Sequence, residues 1–266
     1  MVNRILPLLL FLSGINAQIA LPTFQGVHTS HAAASSLYDF TSHTFTNCGA
    51  TGQEGPTLAN CKSSYDVSWE DDTDLFNVQT QGIQEWTVPT TGTYTIEGWG
   101  AEGGDNNHPG TPGKGARMKG TFSLTVGQTL MNLVGQQGSD ATYVGGGGGG
   151  TFVWIDGETS APLIAAGGGG GVGHALDYDG IDATTSNDGT NGNGQSSGGG
   201  TSGSGGTDVA GTNAEASGGA GWLSNGNDGR DYGCTFDSYG GIKPLSGGTG
   251  GTGGGSSGKN ADGGFG

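Results

Sequence analysis

Residues 145–171 read GGGGGGTFVWIDGETSAPLIAAGGGGG. A glycine hexamer (Gly145, Gly146, Gly147, Gly148, Gly149, Gly150) and a pentamer (Gly167, Gly168, Gly169, Gly170, Gly171) frame two apolar runs, 151–155 and 162–166. Both runs have the length and the β-branched or aromatic content of buried strands. A flexible linker is the ordinary reading of polyglycine. Linkers, however, usually mix in serine and are not framed by core-grade strands. The other reading is an ordered bundle of extended, left-handed threefold helices. Each residue of such a helix rises ~3.1 Å and makes no internal hydrogen bond, so the helices must bond to one another. Only glycine lets backbones approach that closely, and ordering it costs more chain entropy than ordering any other residue. On the bundle reading, valine at Gly147 or at Gly169 is expected to destabilise the domain sharply.

Upstream, residues 83–88 (IQEWTV), 94–99 (YTIEGW), 121–126 (TFSLTV) and 130–134 (LMNLV) form short, largely alternating runs between turn signals at Pro89, Gly92 and Gly127-Gln128. Such spacing predicts a mainly β fold of sandwich type. No amphipathic helix is expected after residue 17. Glycine fills 43 of the last 122 positions against 18 of the first 144, so the polyglycine-rich part is set at 145–266 and the sandwich strands mostly at 46–166. Residues 184–212 mix serine, threonine and asparagine into the glycine with almost no apolar side chains, and are expected to be a loop insertion or disordered.

At the N-terminus Arg4 precedes an apolar stretch over 5–12, and Ala17 offers a cleavage point. Residues 1–17 therefore read as a signal peptide, too short to span a bilayer. Residues 18–45 are a polar lead-in, with a short strand expected near its end, and 46–266 the glycine-rich β domain. The expected location is secreted or on the outer face of the plasma membrane, with membrane attachment only through a segment outside these residues. Asp and Glu number 24 against 8 Lys and Arg. That balance repels phosphate backbones and argues against nucleic acid; it attracts a basic partner, although solubility alone explains it equally. In an oxidising compartment Cys48 and Cys61 close a small loop, leaving Cys234 unpaired or with its partner missing.

Catalytic signatures fail. Neither Lys114 nor Lys259 completes a phosphate-binding Gly-rich frame, and the kinase motifs are absent. His28, His31, His43, His108 and His174 lie in polar surroundings and read as surface residues. Glu70-Asp71-Asp72 with Asp74 reads as a solvated loop, and residues 177–182 (DYDGID) lack the spacing and closing glutamate of a calcium loop. No catalytic, metal or cofactor site is expected in this chain.

Read in order, six blocks carry a resemblance. They are Asn47-Cys48-Gly49-Ala50-Thr51-Gly52 with Gly55-Pro56-Thr57 and Cys61; residues 82–89 (GIQEWTVP); Tyr94-Thr95-Ile96 with Trp99-Gly100-Ala101 and Gly103-Gly104; Val134-Gly135-Gln136-Gln137-Gly138; the hexaglycine with Thr151-Phe152-Val153; and residues 162–171 (PLIAAGGGGG). Over roughly 44–266 the chain resembles the glycine-rich extracellular region of the anaplastic lymphoma kinase and leukocyte tyrosine kinase receptors. The resemblance implies a tumour-necrosis-factor-like β-sandwich interleaved with a polyglycine-helix bundle. It also implies a protein cytokine as ligand, receptor dimerisation, and ATP only for a kinase domain further along a longer chain. Family members run on past the point matching Gly266 to a cysteine that pairs with the one matching Cys234, so truncation at the C-terminus is expected. The competing reading is a secreted glycine-rich adhesion or matrix protein with no kinase; an extracellular enzyme is the remote third.

Overall fold

A computed structural model describes residues 36–173, 178–192, 198–207, 217–229, 238–254 and 260–266. The expected signal peptide, most of the lead-in, His174, Asp177 and Cys234 lie outside the described residues.

Among the described residues the fold is mainly β, with two antiparallel sheets, one short α-helix and a 3-10 turn at Pro244–Ser246. The helix α1 (Leu58–Ser64) carries a capping box, in which the Thr57 side chain accepts from the Asn60 amide and Asn60 returns the bond. Helix periodicity did not signal it because seven residues, with only Leu58, Ala59 and Cys61 apolar, make no amphipathic stripe. It holds Cys61, fully buried, against Cys48, and the two form a disulfide. The larger sheet orders β1 (Phe76–Asn77), β2 (Ile83–Thr87), β5 (Thr129–Leu133), β6 (Thr151–Ile155) and β7 (Ile164–Ala166); β3 (Gly92–Trp99) and β4 (Arg117–Leu124) form the smaller. β4 begins four residues before the expected strand, because pairing with the long β3 recruits Arg117-Met118-Lys119-Gly120, which lacks alternating apolar residues.

The larger sheet is covered on both faces. One face sets Trp86, Leu130, Val153 and Ile164 against Tyr94, Ile96, Met118, Phe122 and Leu124 of the smaller sheet, the aromatic segment 38–45, and Trp69. The other sets Ile83, Leu133, Phe152 and Trp154 against Trp222 and Phe265. Two-sided burial explains why β6 reads TFVWI without a polar gap. Buried Gln84 and Asn132 are paired in register and satisfied: Asn132 Nδ2 donates to the Gln84 carbonyl at 3.1 Å, and Tyr65 Oη donates to Gln84 Oε1 at 2.6 Å.

The glycine runs continue directly from β6 and β7 into a second kind of packing. No backbone bond joins residues within either run; every bond leaves it. Gly146 and Gly149 donate to Ser139 and Gln136, and Gly145 and Gly148 to Val172 and Gly169. Ala101 and Gly104 donate into the hexamer, as does Gly264. One run is thus wrapped by four segments: 101–104, 136–139, 169–172 and 262–265. None of these eleven glycines has positive φ, so conformation does not demand glycine there. Space does. A Cβ at Gly146, Gly149, Gly168 or Gly169 would stand 1.7–2.0 Å from a neighbouring backbone oxygen, whereas at Gly147 and Gly167 the nearest atom is 3.8–3.9 Å away. Each run thus has one open position, Gly147 in the hexamer and Gly167 in the pentamer, among glycines that a neighbour presses closely. Gly147 and Gly169 are therefore not equivalent, contrary to the expectation from sequence.

Described parts of 184–212 are also bonded. Gly189 donates to Gly200, Gly198 to Thr207 and Gly206 to Gly219, and 218–227 pairs onward to Gly241. This network is made of backbone bonds, so the low apolar content of the segment did not reveal it. The C-terminal segment is equally integral. Phe265 is buried, and its ring fills the space over Gly55 and Gly82, where any Cβ would collide with it.

Gly169→Ala should cost about 3 kcal/mol or more by overpacking, lowering the melting temperature by at least ~6 °C, while Gly147→Ala should shift it by less than ~2 °C. Equal melts for the two variants in a calorimetric scan would refute this packing. Replacing Cys48 and Cys61 together by serine should cost roughly 3 kcal/mol on the chain-entropy account of so short a loop, read by urea denaturation.

Candidate recognition surface

Potential chemical groups are committed to structure. His43 is packed edge-on among Phe45, Tyr65 and Trp69, and His108 stacks on Tyr143. Asp179 Oδ1 accepts from the amide and hydroxyl of Thr111, which hold its carboxyl below the usual range, and Asp182 Oδ1 accepts from the Lys114 amide. These acids brace a loop of the bundle. In the other cluster Glu70 accepts from the Val67 amide, Asp72 from Asp74, and Asp71 pairs with Lys62 at 3.4 Å. Among the described residues no group of three or more His, Cys, Asp or Glu is placed to hold a metal ion. The polar hollow beside β1 presents Asp74 and Glu85, and Glu85 already accepts from Gln79 at 2.7 Å.

What remains is a surface. Strand parity turns Tyr94 and Ile96 of β3 inward and Thr93, Thr95, Glu97 and Trp99 outward; β4 turns Arg117, Lys119, Thr121 and Ser123 outward. Register sets Trp99 opposite Arg117 and Glu97 opposite Lys119. The Arg117 guanidinium lies over the Trp99 ring, 5.5 Å from its centroid, a cation–π arrangement. Glu97 pairs with Arg117 and, at 3.7 Å, with Lys119. The hydrogen bond from Arg117 is the first cause holding the Glu97 carboxyl below its ordinary range. As the pH falls through that lowered value the pairing is lost and the face gains positive charge.

Trp99 is 54% exposed, whereas Trp69, Trp86, Trp154 and Trp222 are 3–5% exposed. An exposed tryptophan beside an arginine has the composition of an interface hot spot. Three of the chain's eight Lys and Arg, Lys114, Arg117 and Lys119, fall within six residues. On a protein of net charge −16, Arg117 and Lys119 outnumber Glu97 on the outer face itself. Its signal was present in the sequence: in GTYTIEGW, Trp99 shares the parity of Thr93, Thr95 and Glu97. Of the residues singled out from sequence, Cys48 and Cys61 meet under this domain's core, and the glycines of both runs meet in the bundle. Neither set touches the β3–β4 outer face.

No family model matches the chain. Over 99 residues it is 39% identical to the leukocyte tyrosine kinase receptor of Mus musculus, a match covering 36% of this chain and 11% of that receptor. The identity supports a distant relationship to receptors of this type.

Trp99→Phe should remove nearly all acrylamide-quenchable tryptophan fluorescence while moving the melting temperature by less than ~2 °C, as for an exposed substitution. Persistent quenching in the variant would mean that another tryptophan is accessible.

Proposed function

We propose that this chain is the extracellular ligand-binding region of a receptor of the leukocyte tyrosine kinase and anaplastic lymphoma kinase type. In this reading it binds a small protein cytokine and brings two receptors together, outside the cell. Any ATP-dependent step belongs to a kinase domain outside these 266 residues. The supporting observation is the 39% identity to the mouse receptor. No helix among the described residues is long and apolar enough to cross a membrane, so attachment on this reading comes from a segment outside them. The fold suits the role, since a rigid bundle and a two-sided core hold the β3–β4 face without needing a ligand to order it. The Trp99–Arg117 pair supplies a compact contact on the exposed β3–β4 face.

The test is titration of the purified chain with a cytokine that activates the mouse receptor, by calorimetry and light scattering. Saturable binding tighter than about 1 μM (about −8 kcal/mol), with a complex containing two copies of the chain, is the expected result. Trp99→Ala should weaken it at least tenfold, about 1.4 kcal/mol, and Thr93→Ala should not. Absence of binding up to about 100 μM would sink the receptor reading and favour an adhesion or matrix role.

A further inference from the structure

His43 sits on segment 36–46, which crosses the aromatic core without joining either sheet. Its ring centroid lies 4.6 Å from those of Phe45 and Tyr65 and 4.8 Å from that of Trp69, all edge-on at 76–90°. Its Nε2 is buried and has no hydrogen-bond partner. The segment is held by few polar bonds: Thr90 Oγ1 donates to Ser36 Oγ at 2.9 Å, Leu37 donates to the Pro89 carbonyl at 2.9 Å, Tyr38 Oη to the Thr87 carbonyl, the Thr46 amide to Tyr65 Oη at 2.9 Å, and Gln84 Nε2 to the Thr46 carbonyl at 2.8 Å. Ring contacts supply the rest, Tyr38 on Trp69 and Phe40 on Trp86 and Tyr94.

Among the described residues no acid forms an ion pair with His43. On its own segment Asp39 is exposed, and on the facing segment so is Asp66; neither is in an ion pair with it. Glu70 accepts from the Val67 amide, and the Tyr65 hydroxyl donates to Gln84. Tyr94 on β3, the remaining titratable neighbour of the segment, donates to the Thr90 carbonyl at 2.7 Å. We propose that segment 36–46 is an acid-released latch: protonation of His43 detaches it and uncovers the aromatic surface around Trp69 and Trp86.

The direction follows from burial, which lowers the His43 pKa from 6.5. A folded-state value below the unfolded one means that docking is fully stable above about pH 6.5 and weakens as the pH falls through the folded value. Attraction of an imidazolium to three aromatic rings, about 0.5–2 kcal/mol, opposes release but does not replace the lost hydration of a buried N–H. The latch does not depend on the receptor reading.

Amide hydrogen exchange followed by mass spectrometry, corrected for intrinsic rates, tests it on the full chain at pH 7.4 and 5.0. Peptides spanning 37–46 should lose protection at least tenfold at pH 5.0, while those from β5 and β6 keep theirs. His43→Phe should keep the segment protected at both values, and His43→Leu serves if the phenyl ring is too large. Unchanged protection in the native chain, or an equal acid loss in a folded variant, would overturn the proposal.

Discussion

Backbone lies directly against backbone in the glycine bundle, and the rest of the molecule is arranged around that contact. At Gly146, Gly149, Gly168 and Gly169 the neighbouring carbonyl occupies the place a Cβ would take. The hexamer is contiguous with β6 and the pentamer with β7, so bundle and sheet cannot shift independently. Thr151 ties them at the seam: its buried hydroxyl donates to the Trp99 carbonyl at 2.6 Å and accepts from the Gly135 amide at 2.9 Å. One side chain thereby fixes the end of β3, the start of β6 and the segment entering the bundle.

Such packing contributes little hydrophobic stabilisation, because it has no side chains to bury, and glycine loses the most entropy on ordering. The offsetting terms lie elsewhere. Interchain-like hydrogen bonds satisfy the runs, each worth about 0.5–1.5 kcal/mol net. The apolar residues concentrate in two clusters on either face of the five-stranded sheet. Phe265 and Trp222, remote in sequence from β6, close the second cluster and pin distant glycine segments onto the sheet. The short helix and its disulfide do the same for the first.

The β3–β4 outer face carries an exposed tryptophan and a cluster of cations on a molecule of net charge −16. Segment 36–46, by contrast, is fastened mostly by ring contacts around a histidine.

The sequence by itself determined the mainly β class, the positions of β2, β5, β6 and β7 to within a residue or two, and the pairing of Cys48 with Cys61. Alternation and continuous apolar runs report local burial, and two nearby cysteines have few other partners. Even the outward Trp99 was legible from parity. Helix α1 was not, since its start signal rests on Thr57 and Asn60 alone and the seven residues carry no amphipathic stripe. Only the tertiary structure decided which glycines are indispensable. Gly147 and Gly148 are identical in composition and neighbours in the chain, yet one faces solvent and the other faces the carbonyls of Ala101 and Glu102. A glycine carries no side-chain pattern to reveal its surroundings, so its constraint is written entirely in the backbone that lies opposite.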